Sequence, residues 1–156
     1  MGHRLTPFGH DSRRAVDTCP LSLKWSYQLL LELGGHRNFI CRHGFNDDDL
    51  AQELGLGKWV DSDDYTAPLA LAALRKSARA FDGDFPDAGY PDSLAANLEA
   101  LGELLGLTEA ELRILGFCTL MHCDPTLSDA TDQLGMLGLN RAMKVLSVVL
   151  GLSLIH

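Results

Sequence analysis

A short phrase recurs down this chain: leucine, glycine, leucine, and in most copies a small polar residue. It stands at Leu54-Gly55-Leu56, Leu105-Gly106-Leu107-Thr108, Leu137-Gly138-Leu139-Asn140 and Leu150-Gly151-Leu152-Ser153. Glycine after an apolar helical stripe takes the left-handed conformation that closes a helix, and the leucine beyond it packs back on the last turn. Thr, Asn or Ser in the next position accepts the unpaired amide hydrogens that open a new helix. Each copy therefore ends one helix, and the polar copies start another. A chain punctuated in this way is a string of short packed helices, and the phrase carries no chemistry of its own.

The spacing between the phrases fills in the elements. Residues 1–19 lack apolar periodicity and read as a flexible arm. From Pro20 a helical stripe of Trp25, Leu29, Leu30 and Leu33 runs to Gly34-Gly35, and residues 36–45 read as an irregular link. Asn46 is read as the cap of a helix that opens on Asp47-Asp48-Asp49, carries Leu50, Ala51 and Leu54 inward, and closes at Gly55. An acidic loop around Trp59 precedes a helix from Thr66 to Phe81, with Pro68 in the first turn, where proline is tolerated. Residues 82–91 are rich in Gly, Asp and Pro and give the strongest loop signal. The chain thus divides into a helical subregion 20–82, a linker-like loop 83–92 and a helical bundle 93–151. In the bundle, Leu94, Leu98, Leu101 and Leu105 share one face, and Thr108 with Glu111 forms a capping box. Leu112, Leu115, Cys118 or Thr119, and Met121 or His122 are expected to continue the buried face. Asp124-Pro125 caps a helix with Leu127, Ala130 and Leu134, and Asn140 is read as capping a last one with Met143, Leu146, Val149 and Leu150. With no alternating strand runs, the expected architecture is an all-α bundle of six to seven short helices behind a mobile N-terminal arm.

Composition narrows the partners. The chain of 156 residues is 46% hydrophobic and 22% charged, enough for one domain with a true core. Its formal net charge of −8 opposes a general nucleic-acid or anionic-membrane binder, which needs a basic face. No apolar run approaches the roughly 20 residues of a membrane helix, and no apolar leader opens the chain. Cys19, Cys41, Cys118 and Cys123 are irregularly spaced, as suits reduced thiols in a cytoplasm. The charge is uneven: Arg4, Arg13, Arg14, Lys24, Arg37 and Arg42 outnumber the acids of the first 45 residues. Asp47–Asp49, Asp61, Asp63, Asp64, Asp82, Asp84 and Asp87 make the middle acidic.

Four constellations bear on chemistry. Gly55-Leu56-Gly57-Lys58 has the look of a phosphate loop, but Trp59 replaces the magnesium-binding Ser or Thr and a helix precedes it where a strand should. A helix end is the better account. Cys118, His122 and Cys123 are a candidate zinc set, with Cys41 and His43 in reserve, although the paired spacing of a structural zinc site is missing. No nucleophile elbow or catalytic-cysteine context is present. The helices 124–134 and 140–150 could form a helix-turn-helix, whose second helix would read DNA with only Arg141 and Lys144. His36, Arg37, Arg42 and His43, beside Phe39 and Phe45, form a basic cluster able to grip an acidic partner or to pair with Asp47–Asp49.

Three stretches carry a resemblance. They are Leu33 to Ile40 with His43-Gly44-Phe45; Asp48 to Asp61; and Glu111 to Phe117 running on to His122. In this order they resemble the N-terminal region of a group of large bacterial AAA-family ATPases, over residues 20–151. The resemblance implies a non-catalytic helical region that recognises a substrate or adaptor protein or docks on the ATPase module. It places ATP and magnesium in a module further along a homo-oligomeric parent, and none of the family's nucleotide-binding residues falls in this sequence. Leu152-Ser153-Leu154-Ile155-His156 also looks like the translation of a sequencing adaptor, so 152–156 is read as an artefact, and the chain is expected to be cut short before that module. Leu152-Ser153 equally continues the helix-end phrase. The competing readings are a stand-alone helical regulator binding DNA or protein through 124–150, and a small zinc module.

Overall fold

A computed structural model describes residues 19–136 and 139–151. The chain is all-α, with eight α-helices among the described residues. They are α1 (Pro20–Leu31), α2 (His36–Phe39), α3 (Asp48–Glu53), α4 (Ala67–Asp84), α5 (Asp92–Leu105), α6 (Glu109–Cys123), α7 (Pro125–Asp132) and α8 (Leu139–Leu150). A 3-10 turn, Gly57–Trp59, lies between α3 and α4. The expected flexible arm, apart from Cys19, lies outside the described residues, as do Leu137-Gly138 and residues 152–156.

α1 is apolar around most of its circumference, so it is driven to the centre. Leu29 and Leu30 are fully buried, and Leu21, Trp25 and Tyr27 nearly so. Its two buried serines are satisfied locally. Ser26 Oγ donates to the Ser22 carbonyl at 2.7 Å, and Ser22 Oγ lies 3.3 Å from Cys19 Sγ. α7, α4, α8 and α2 all pack on α1, with α7 the most extensively. Tyr27 crosses to α3, donating its hydroxyl to the Leu54 carbonyl at 2.9 Å. Burial, reinforced by the negative charge of Asp82, pushes the Tyr27 phenol up to about 12.

Caps set the helix ends. Gly55, Gly106 and Gly151 have φ of 82°, 67° and 63°, the left-handed closure expected of the leucine-glycine phrase. Thr66 accepts from the Leu69 amide, and Thr108 with Glu111 forms the full capping box. Asp124 accepts from the Thr126 amide at 2.9 Å to open α7. Two expected caps move. Asp47, not Asn46, caps α3, accepting from the Leu50 amide at 3.0 Å. Asn46 is freed to donate to Gln133 Oε1 at 3.0 Å. Asn140 lies inside the first turn of α8, which is already helical at Leu139.

The link 36–45 proves to be ordered. It makes one helical turn, α2, and then a tight hairpin in which Ile40 and Phe45 form an antiparallel bridge. Phe39 is fully buried and stacks on Phe45, while Tyr65 meets Phe45 edge-on. The Tyr65 hydroxyl lies 2.8 Å from the Cys41 carbonyl and 3.0 Å from that of Gly44, closing the hairpin with a shared proton. Asn38 Nδ2 donates to the Gln133 carbonyl at 2.7 Å, so Asn38 and Asn46 together bolt this segment to the end of α7. The absence of helical periodicity conceals that order in the sequence, because aromatic stacking across the hairpin takes its place.

α4 extends through Asp84, three residues past Phe81, because Phe85 stacks on Phe81 with ring centroids 5.0 Å apart and prolongs the last turn. After it, residues 85–91 are irregular, but Tyr90 is anchored. Its ring meets Trp25 at 6.0 Å and lies over Gly116 of α6. The buried face of α6 is Gly116, Phe117 and Leu120 rather than the expected line through Cys118 and His122, both of which are exposed. Phe117 is edge-on to Trp25 at 5.3 Å and takes the central place. α5 packs on α6 with Gly102 against Leu112, and Leu98 is buried, whereas Leu101 and Leu105 of its expected face are exposed, as is Leu104. On α8, Val145, Val149 and Leu150 turn inward and Met143 is exposed.

A β-carbon on Gly116 would overlap the Tyr90 hydroxyl and lie 2.6 Å from Tyr90 Cζ. Gly116→Ala is therefore expected to destabilise the protein by about 1–3 kcal/mol despite alanine's better helix propensity. Urea unfolding measures this, and Tyr90→Ala in the same background should remove most of the additional penalty.

Candidate functional site

The basic cluster read from sequence divides between two places. Arg42 and His43 sit exposed at the tip of the 40–45 hairpin. His36 and Arg37 belong to the single turn α2, and both border a small depression lined also by Ile40, Ala67, Pro68 and Leu71. Burial, and then the charges of Arg37 and Arg75, hold the His36 imidazole below its usual 6.5. Arg37 and the nearby Arg75 place two formal positive charges around this depression.

Arg37 also reaches a second, larger cleft of about 470 Å³ between the end of α1 and the start of α8. Glu32, Leu33, Gly34, Leu134, Arg141, Lys144 and Val145 complete its lining. Arg141 and Lys144 lie three apart on α8 and therefore on one helical face. Sequence reading had considered them only for DNA. Their meeting with Arg37 depends on α8 packing beside α1, a contact between residues more than a hundred positions apart that no local pattern announces.

A third concavity, of about 450 Å³, runs between residues 55–59 and α4. Leu56, Trp59, Leu69, Ala72, Ala73, Ser77 and Ala80 form its floor and walls, and Lys58 and Lys76 stand on its rim. The Lys58 ammonium lies 5.1 Å from the centre of the Trp59 ring, a cation–π distance. Leu69 is 47% exposed, and Trp59 Nε1 is buried with no hydrogen-bond partner among the described residues. An orphaned buried donor costs about 1–3 kcal/mol. In this setting Gly55 closes α3 with left-handed φ and Gly57-Lys58-Trp59 is a 3-10 turn. The Gly55–Lys58 segment is thus a helix end, and it has neither the preceding strand nor the following helix of a phosphate loop.

Cys118, His122 and Cys123 are all exposed on α6, and Cys41 is exposed on the distant hairpin. Among the described residues no group of three or more His, Cys, Asp or Glu comes together as a metal site would require. Nor is any helix among them long and apolar enough to cross a membrane. No protein-family model, curated protein or solved structure matches the chain.

The depressed His36 fixes the sign of a pH effect. The unfolded chain takes up this proton more readily than the folded one, so the group's contribution to stability is present above pH 6.5 and is lost as pH falls through and below that value. Replacing His36 with Gln is expected to flatten stability against pH below 6.5, and thermal melts of both proteins across that range measure it. Stability curves of unchanged slope would contradict the placement.

Proposed function

We propose that this chain is a non-catalytic helical docking region, of the kind that precedes the ATPase module in AAA-family proteins, and that it holds a substrate or adaptor protein. ATP and magnesium are then handled by a module outside this chain, and none of the residues described above is assigned to them. The resemblance in residues 33–45, 48–61 and 111–122 supports this reading. So does the position of the first two stretches, which line the concavities just described.

The observation that carries the proposal is the groove along α4. Its alanines leave room for a helix to approach closely, while Leu56, Trp59 and Leu69 offer apolar contact. Lys58 and Lys76 select acidic flanks on whatever enters. The occupant it suits is an amphipathic helix with carboxylates bordering its apolar stripe, carried by a partner protein. The DNA-binding alternative finds less support. α7 and α8 both pack on α1, and the bases of α8 share a concave cleft with Arg37 instead of standing on a projecting recognition helix.

Titration with acidic amphipathic helical peptides, followed by the Trp59 indole N–H resonance, tests the proposal. Saturable binding that is weakened about tenfold by Lys58→Glu with Lys76→Glu, and abolished by Leu69→Asp, is expected. Equal affinity for basic amphipathic peptides, or shifts elsewhere on the surface, would contradict it.

A further inference from the structure

We infer that the cleft between α1 and α8 is a binding site for a small organic phosphate carrying two or more negative charges. Arg37, Arg141 and Lys144 converge there from two elements far apart in sequence, with Glu32 as the one acidic residue in the lining. The local formal charge is +2, from three cations and one acid, on a chain whose net charge is −8. None of the three cations has an ion-pair partner among the described residues. Gathering three cations around a single acid is unfavourable, and a bound anion would relieve it.

The geometry suits a compact ligand. The exposed Arg37 runs its guanidinium along the turn after α1. Its Nη1 lies only 3.6 Å from where a side chain on Gly34 would begin, and the left-handed Gly34, with φ of 83°, has none. The guanidinium at the cleft offers a planar fork that matches two phosphate oxygens. Lys144 adds a point charge from the face of α8 that also carries Arg141. Leu33, Leu134 and Val145 give the cleft an apolar side against which the carbon skeleton of the ligand can rest. At about 470 Å³, the cleft falls in the range of small-molecule sites and exceeds what a bare phosphate needs.

Pyrophosphate, inorganic phosphate and a glutamate-rich peptide serve as probes in isotherms and amide-shift titrations of the whole chain at fixed ionic strength. The expected result is saturable pyrophosphate binding, with the largest shifts at Gly34, Arg37, Arg141 and Lys144, and weaker binding of inorganic phosphate at the same residues. Arg141→Ala with Lys144→Ala should weaken pyrophosphate at least about tenfold, whereas Arg79→Ala, on the exposed side of α4 and outside every concavity described, should leave it unchanged. These side chains are exposed, so an unaltered amide spectrum away from the cleft verifies that the variants are folded. Shifts spread evenly over every basic residue, or a loss in Arg79→Ala equal to that in the cleft double variant, would overturn the inference. Larger shifts at Arg37, Arg141 and Lys144 with the glutamate-rich peptide than with pyrophosphate would also overturn it, by assigning the cleft, as distinct from the α4 groove, to a protein partner.

Discussion

A twelve-residue helix that buries Leu21, Trp25, Tyr27, Leu29 and Leu30 has almost no face it can leave in water, and the remaining helices are arranged around that demand. Each such side chain removed from water contributes about 1.5–3 kcal/mol before entropy is subtracted. A single partner helix covers one stripe, so α1 needs several. α7 covers one side, α4 and α8 cover others, and α6 reaches it through Phe117 against Trp25. The N-terminus of α1 lacks a cap of its own, and the buried carboxylate of Asp124 stands in. Oδ2 accepts from the Cys19 amide at 3.4 Å, while Oδ1 caps α7. One acid thus serves two helix starts, where the positive ends of both dipoles favour it.

The surface features follow from the same packing. Because α2 and the 40–45 hairpin are bolted to Gln133 by Asn38 and Asn46, Arg37 is fixed near the end of α1. Because α8 lies against α1, Arg141 and Lys144 face it across the cleft. The α4 groove arises differently. α4 turns Ala70, Leu74 and Phe81 inward, Phe81 against Tyr27 of α1, and its neighbouring face is left with alanines and Leu69 beside Trp59. A helix committed on one face to the core and small on the other is suited to receive a second helix.

Much of the fold was legible in the sequence because helix punctuation is local. The closures at Gly55, Gly106 and Gly151, the Thr108–Glu111 box and the Asp124-Pro125 start each depend on residues within a turn or two, and the structure places them as read. What was hidden depends on distance. The order of residues 36–46 rests on Tyr65 and Gln133, and the anchoring of Tyr90 rests on a glycine twenty-six positions away, Gly116. The choice of Asp47 over Asn46 as cap was likewise settled by Gln133 claiming the asparagine. The candidate site was read in part. His36 and Arg37 were identified, but Arg42 and His43 lie on a separate tip, and Arg141 and Lys144 join Arg37 only through tertiary packing. Cys118 and His122 looked buried because their helix is apolar throughout, and its weak amphipathicity conceals which side turns inward.

Native-state hydrogen exchange tests the central place of α1 most directly. If burial of this helix organises the fold, the amides of Leu29 and Leu30 exchange only through global unfolding, with an opening free energy equal to that from urea denaturation. Those of Leu104 and Leu105, at the exposed end of α5, should exchange through local opening at far lower cost. Exchange of the α1 amides through a local opening that leaves α7 and α6 protected would contradict the account.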